Sequence, residues 1–207
     1  MALLQFFQRL FRKSAPPEIA DVLFFGLGNK GGRYTRTRHN IGYRIADALA
    51  ERLGNRTSGF FAEAAYIQGT LFESQKKVLA VKPQTFMNRS GDAVKSYIET
   101  CRCPLSNILV IVDDYNLPFG RMRARRSGSD GGHNGLNSII DRIGRSDFPR
   151  LRIGIGPLPR EATSTDFVLG SFMDAEEMEL KAVILRAVDA CLLFVQSGIE
   201  TAMNKIN

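Results

Sequence analysis

Hydrophobic residues fall into short, uninterrupted runs that are separated by segments rich in glycine and polar residues. Residues 22–25 and 108–112 are continuous apolar runs of strand length, which predicts strands buried on both faces. Further strands are predicted, in chain order, at residues 65–72, 77–81, 120–126 and 151–155, with a possible edge strand at 166–169. In the segment 120–126, arginines alternate with Met and Ala, which indicates a half-exposed strand with a basic outer face.

Four other segments carry apolar residues at helical spacing. Helices are predicted to begin near Asn40, Ser90, Asn134 and Asp174, and the last of them is long and ends near Gly198. Strands that alternate with helices are typical of α/β proteins. The pattern therefore predicts a single compact α/β domain with a twisted mixed sheet, parallel at its centre and flanked by helices.

The first residues of the chain differ in character from the others. Residues 1–13 (MALLQFFQRLFRK) are amphipathic, they lack the order of regions found in a signal peptide, and Pro16 and Pro17 separate them from the remainder of the chain. We therefore divide the chain into an N-terminal amphipathic extension, residues 1–18, with no expected catalytic role, and a domain, residues 19–207. No apolar run approaches the ~20 residues that span a bilayer, so no membrane partner is expected.

Charge and cysteine content narrow the class of protein. Lys and Arg number 28 against 21 Asp and Glu, and four arginines fall between Arg121 and Arg126. Such local clusters favour a polyanionic partner. Three cysteines are an odd number for a disulfide framework, and two histidines give no familiar zinc spacing. We expect reduced thiols, a cytoplasmic location and no metal.

A glycine motif follows the first predicted strand. Gly26-Leu27-Gly28-Asn29-Lys30-Gly31 matches the dinucleotide pattern G-x-G-x-x-G. A dinucleotide site needs a helix that begins within the motif, whereas no helical apolar pattern starts before Ile41. A cofactor-dependent oxidoreductase is therefore disfavoured, and cofactor absorbance in the purified protein would revive it.

Five polar residues lie where the carboxyl edge of the sheet is expected. Asn29, Asn88 and Asp113 follow strand segments, and His39 and Asn134 stand at helix starts. Ligands of open α/β sheets bind at this edge. A His39–Asp113 pair without a neighbouring activated Ser or Cys favours a bound water as the nucleophile.

Three residues of this region have more than one interpretation. Asn29 and Asn88 suit a peptide-like ligand because an amide both donates and accepts hydrogen bonds, although each is also a common turn residue. The second histidine, His133, is expected to shape the tight turn before the helix at Asn134, and a functional role for it stays open.

Five motifs then resemble the bacterial peptidyl-tRNA hydrolase family, in order and spacing, from about Asp21 to the C-terminal helix. They are Gly26-Leu27-Gly28-Asn29-x-Gly31, Thr37-Arg38-His39-Asn40-x-Gly42, Thr85-Phe86-Met87-Asn88-x-Ser90-Gly91, Gly131-Gly132-His133-Asn134-Gly135-Leu136 and Arg150-Leu151-Arg152-Ile153-Gly154-Ile155-Gly156. The resemblance implies hydrolysis of the ester between a peptide and the 3′ end of tRNA, which recycles tRNA from aborted translation. It also implies a monomer without a cofactor.

The resemblance also assigns roles to residues. It makes His39 the general base, Asp113 its partner and Asn29 a catalytic amide. The substrate and tRNA are expected to contact Tyr34, Phe86, Met87, Asn88, Asn134, Arg123, Arg125 and Arg152, the last two at the tRNA 5′ phosphate. A non-catalytic RNA-binding adaptor on the same fold is the alternative, and tight tRNA binding without ester cleavage would favour it.

Overall fold

A mixed sheet of seven strands forms the centre of the computed structural model, which describes residues 16–207. The predicted extension, residues 1–18, therefore lies almost entirely outside the described residues. The strands are β1 Val22–Gly26, β2 Gly54–Phe61, β3 Ala64–Leu71, β4 Lys76–Pro83, β5 Ile108–Pro118, β6 Met122–Arg125 and β7 Arg150–Gly156. Their order across the sheet is β2-β3-β4-β1-β5-β7-β6.

The sheet is parallel at its centre and antiparallel at both margins. β4, β1, β5 and β7 run parallel to one another, while β3 and β2 on one side and β6 on the other are antiparallel to their neighbours. All five residues of β1 are buried, as expected for a central strand covered on both faces. The predicted mixed α/β sheet is confirmed.

Helices cover both faces of the sheet. They are α1 Ile41–Ala50, α2 Ser90–Cys101, α3 Asn134–Ile143, α4 Ser164–Leu169 and α5 Asp174–Ile206. Phe24 of β1 packs in one core with α1 and α5, whereas its neighbours Leu23 and Phe25 pack in a second core with α2 and α3. This division follows from the alternation of side chains along a strand.

The last helix, α5, is by length and composition apolar enough to cross a membrane. Leu180, Val183 and Phe194 are nevertheless buried against the sheet in the first core. These three apolar residues thus serve packing within the domain.

Three local predictions were wrong. The edge strand β2 was not predicted, because its mostly exposed residues show no apolar alternation. Residues 166–169 belong to the helix α4 rather than to an edge strand. The final helix does not end at Gly198: that residue interrupts it with φ of 75°, a conformation glycine adopts without strain, and the helix resumes as far as Ile206.

Candidate active site

A cleft opens at the carboxyl edge of the parallel strands. Gly26, the last residue of β1, pairs with Ile111, whereas β5 continues to Pro118. Two cavities of about 430 and 510 Å³ lie here. They form one cleft because they share four lining residues, which are His39, Asn134, Thr165 and Val168.

Close backbone packing places His39 in this cleft. His39 lies in a 3₁₀ turn, Arg38–Asn40, directly before α1. A Cβ at Gly26 would lie 2.2 Å from the carbonyl oxygen of Gly42, so only glycine lets α1 approach the end of β1. The first two glycines of the G-x-G-x-x-G motif, Gly26 and Gly28, therefore serve packing, and no α-helix begins within the motif, as predicted.

Two histidines contact one carboxylate oxygen. Oδ1 of Asp113 lies 2.8 Å from Nδ1 of His39 and 3.0 Å from Nε2 of His133. All three residues are buried. The predicted neighbourhood of His39 and Asp113 is thus present in the structure, and the second histidine joins it.

Hydrogen bonds fix which ring nitrogens carry protons. Nδ1 of His133 accepts from the backbone N–H groups of Gly135 and Leu136, so its proton lies on Nε2, which donates to Asp113. Asp113 accepts a second hydrogen bond from Nδ1 of His39. The remaining nitrogen of His39, Nε2, therefore has a free lone pair when the ring is neutral.

Burial and charge act in opposite directions on this cluster. Burial alone would lower the pKa of His39, but the Asp113 charge and its hydrogen bond outweigh burial and hold that pKa above the ordinary 6.5. For Asp113, burial would raise the pKa, but the two histidines and their hydrogen bonds hold it far below its usual range. Asp113 is therefore an anion at neutral pH.

Among the described residues, the side chains of His39, Asp113 and His133 are also the group that could hold a metal ion. Their ligand atoms lie within 4.8 Å of one another. Metal binding would require lone pairs on the nitrogens that face Asp113. In the hydrogen-bonded arrangement those nitrogens carry protons, and His133 has its other nitrogen engaged by the backbone. The donor set thus fits a proton-transfer cluster better than a metal centre.

Asn29 is held in place by three hydrogen bonds. The Asn40 side chain accepts from the Asn29 N–H at 2.9 Å and donates to its carbonyl at 3.0 Å. Oδ1 of Asn29 accepts from the backbone N–H of Met87 at 2.8 Å. Its Nδ2 has no hydrogen-bond partner among residues 16–207, and Asn29 lines the larger cavity. The amide donor is therefore free in the cleft.

Most of the other predicted substrate residues line the same cavity. Phe86, Met87, Asn88 and Asn134 do so, with the two asparagines exposed and Met87 buried. Tyr34 does not line either part of the cleft. It lies half-buried with the Arg33 guanidinium 4.6 Å from the centre of its ring.

A basic surface joins the cleft to the edge of the sheet. Arg152 lines the smaller cavity, with Nε 3.0 Å from Oδ2 of Asp114. Arg123 of β6 lies directly opposite Arg152 on β7, so both side chains share one face of the sheet. Arg123 and Arg125 are exposed and have no acidic partner in the described chain.

Three arginines that lie within eight residues of the sequence, Arg145, Arg150 and Arg152, do not form one surface. Arg150 is buried and donates to the carbonyls of Phe148, Gly128, Ser129 and Ser146. Burial and the neighbouring Arg152 lower its pKa to about 10. Arg145 instead pairs with Asp147. Of this cluster, only Arg152 reaches the cleft.

Sequence reasoning missed one wall of the cleft. Thr165 and Val168 of α4 line both cavities. A signal for this helix exists, because Thr163 accepts from the N–H of Asp166 and donates to its carboxylate, the pattern of a helix start. Asn40, expected only at the start of a helix, instead holds Asn29 by two hydrogen bonds, and its place beside His39 in the motif is the hint that the sequence offers.

The fold and this cleft define an α/β enzyme of the hydrolase class. A family model described as Peptidyl-tRNA hydrolase matches residues 23–207. A peptidyl-tRNA hydrolase of Chloroflexus aurantiacus is 45% identical over 186 residues, which are 89% of this chain and 98% of the relative. One from Synechococcus sp. (strain JA-3-3Ab) is 42% identical over 94% of this chain and 87% of the relative.

Solved structures agree with these relatives. The crystal structure of peptidyl-tRNA hydrolase from Acinetobacter baumannii superposes with a TM-score of 0.83 at 32% identity, covering 93% of this chain and 97% of that one. The chain belongs to the peptidyl-tRNA hydrolase family. It is an enzyme whose substrate is peptidyl-tRNA and whose reaction is hydrolysis of the peptidyl-tRNA ester.

Proposed function

We propose that His39 is the general base of this hydrolysis and that Asp113 orients it. The observation that carries the proposal is the 2.8 Å contact between Nδ1 of His39 and Oδ1 of Asp113 inside the cleft. It leaves Nε2 as the basic nitrogen. Among the described residues, His39 makes no hydrogen bond to a serine or cysteine side chain, which favours water as the nucleophile.

The proton balance of the reaction needs one base. Nε2 of His39 takes a proton from water as the water oxygen attacks the ester carbonyl. The tetrahedral intermediate then collapses, the ribose oxygen leaves, and the protonated His39 returns the proton to it. The products are a peptide carboxylic acid, which ionises, and tRNA with a free 3′ terminal ribose. General-base catalysis of this kind contributes roughly 10²–10⁴-fold.

Asn29 supplies a hydrogen-bond donor for the reacting carbonyl in this proposal. Its Oδ1 is engaged by the N–H of Met87, so Nδ2 is the atom left for a ligand. A donor held ready for a developing oxyanion contributes about 10²–10³-fold. Asn88 and Asn134 then bind the peptide main chain and the tRNA end, beside the apolar surface of Phe86 and Met87.

The basic surface is proposed to bind the tRNA 5′ phosphate. Arg152 lies at the cleft, and Arg123 and Arg125 continue the positive charge along β6. Contacts to phosphates are independent of base sequence and weaken as the salt concentration rises. Such contacts suit an enzyme that acts on many tRNAs.

We also propose the domain organisation, the oligomeric state and the location of the enzyme. The catalytic domain is residues 19–207, preceded by the extension of residues 1–18, and the enzyme acts as a monomer in the cytoplasm without a cofactor. Its three cysteines, Cys101, Cys103 and Cys191, are free and buried, which is consistent with a reducing compartment.

A single-turnover experiment tests the water nucleophile. An N-acetylaminoacyl-tRNA with a radiolabelled acyl group is mixed with excess enzyme and quenched in acid during the reaction. We expect all label in substrate or free N-acetyl amino acid at every time. Label recovered on the protein would show an acyl-enzyme and contradict direct attack by water, and tRNA binding without release of label would instead support the RNA-binding adaptor.

A further inference from the structure

Arg38 is a buried cation directly beside the proposed general base. It is only 6% exposed. Its Nη2 donates to Oε2 of Glu176 at 2.6 Å, and its Nη1 donates to the carbonyl of Ser171. Both partners belong to the segment that follows α4, more than 130 positions along the chain. A charge this deeply buried is stable only when it is paired, as it is here.

Aromatic rings complete the surroundings of the Arg38 guanidinium. Its central carbon lies 4.6 Å from the ring centre of Phe167 in α4 and 5.3 Å from that of Phe172. A planar guanidinium stacks on ring faces and holds its N–H donors in a fixed fork aimed at two acceptors, whereas the ammonium group of lysine is a compact point charge without that fixed geometry. The site is therefore built for arginine rather than for positive charge alone.

Backbone contacts also join the turn that carries His39 to the residues directly after α4. The N–H of Arg38 donates to the carbonyl of Gly170 at 2.9 Å, and Thr37 forms an isolated β-bridge with Ser171. On its other side, α4 is connected through residues 157–163, which are exposed or half-exposed. The turn that carries His39 is thus a buried attachment of α4, in addition to the packing of Val168 in the first core.

This attachment matters because α4 forms a wall of the cleft. Thr165 and Val168 line both cavities together with His39. Glu176 also accepts from the N–H of Met173 at 2.7 Å, so the carboxylate that pairs with Arg38 fixes the start of α5 as well. The Arg38 side chain therefore connects the turn that carries His39 with the end of α4 and with the start of α5.

We propose that Arg38 is a positioning residue, which holds the α4 wall in register with His39 so that substrate bound against the wall meets the base. The catalytic consequence rests on the proposed role of His39, whereas the attachment of α4 does not. Two measurements therefore separate the two claims, applied to Arg38→Lys and Glu176→Gln. The second variant keeps the test decisive if the first does not fold.

Hydrogen exchange followed by mass spectrometry tests the attachment. We expect Arg38→Lys, and more weakly Glu176→Gln, to increase amide exchange at least 5-fold in peptides covering residues 164–172. Arg44→Lys is the matched control, because Arg44 pairs with Glu177 of the same helix at 3.0 Å but does not contact α4 in any of the bonds described. Unchanged exchange in 164–172 for both test variants would overturn the proposal.

Steady-state kinetics test the catalytic consequence. We expect Arg38→Lys to lower kcat at least 10-fold while KM for intact substrate changes less than 3-fold, since the tRNA contacts on β6 are untouched. Glu176→Gln should show a smaller loss in the same sense, and Arg44→Lys should stay within 2-fold of the wild-type kcat. Equal losses of kcat in Arg38→Lys and Arg44→Lys would show that Arg38 contributes only to folding and would contradict the proposal.

Discussion

His39 and Asp113 are 74 positions apart in the chain, yet Nδ1 of the first lies 2.8 Å from Oδ1 of the second in a buried environment. The contact exists because the turn before α1 meets the part of β5 that extends beyond the end of β1, at the carboxyl edge of the sheet. It determines both the orientation of the imidazole and its pKa. The pH dependence of the reaction is therefore the property in which its effect should be most visible.

Replacement of Asp113 by Asn should shift the acid limb of the rate profile. In the wild type, kcat/KM should rise with pH through the pKa of His39, which lies above the ordinary 6.5. Without the Asp113 charge, burial dominates and lowers that pKa, so the limb should move to lower pH. The plateau should fall by about 10-fold or more because the orienting acceptor is altered. Profiles measured between pH 5 and 9, a range chosen from the ~6.5 reference value, check this. An unmoved limb would contradict the assignment.

His133 should contribute separately to stability and to catalysis. His133→Ala removes the acceptor that caps α3, so we expect a loss of about 1 kcal/mol in the free energy of unfolding. His133→Asn should recover most of that loss, because asparagine is a good cap, but it should not recover the contact with Asp113. Urea unfolding and kcat, measured on both variants, check this. Full activity in His133→Asn would show that His133 acts only as a cap.

Asn29 can be tested with a nearly isosteric change. Asn29→Asp keeps the oxygen that accepts from Met87 but removes the Nδ2 donor, so kcat should fall about 10²–10³-fold with the fold retained. The exposed Asn204→Asp on α5 is the control for an added charge. Single-turnover rates measured above the acid limb, with circular dichroism on both proteins, check this. A rate within 3-fold of wild type would exclude Asn29 as an oxyanion donor.

Arg125 should affect intact tRNA and not its 3′ terminus. Arg125→Glu is expected to raise KM for full-length peptidyl-tRNA at least 10-fold and to leave a short 3′-terminal fragment almost unaffected. The salt dependence of binding should also become shallower by about one unit of slope. Arg52→Glu is the control, because Arg52 follows the end of α1 that points away from the cleft. Equal effects on both substrates would mean that Arg125 does not contact phosphate.

Local sequence patterns predicted the central strands and most of the helices because those elements are strongly apolar. The apolar run from Val22 to Phe25 predicted a buried strand, which β1 is. The polar residues expected after the strands do lie at one edge of the sheet, although Asp113 belongs to β5 itself rather than to the loop after it. β2 was missed because an exposed edge strand has no apolar alternation. The six-residue α4 was missed because its start signal, Thr163 with Asp166, is short and its apolar content is small.

The contacts between side chains could not be predicted from local sequence patterns. Arg150 and Arg152 are two positions apart on one strand and have similar neighbours in the sequence. No local sequence pattern therefore distinguishes the buried Arg150 from Arg152, which lines the cleft. Arg38 donates to Ser171 and Glu176, which are more than 130 positions away in the chain. His133 was expected to shape a turn, and it does cap α3, but its hydrogen bond to Asp113 arises only from the approach of α3 to β5. Such relationships require the tertiary structure.

The rate of N-acetylaminoacyl-tRNA hydrolysis by His39→Ala, measured beside the wild type with and without EDTA, tests the central claim most directly. We expect the wild-type rate to be the same in EDTA. We expect kcat of the variant to fall at least ~100-fold with tRNA affinity unchanged, because the base is lost while the basic surface remains. A variant near the wild-type rate would contradict the role of His39. A wild-type rate that EDTA abolishes and zinc restores would instead assign His39, Asp113 and His133 to a metal.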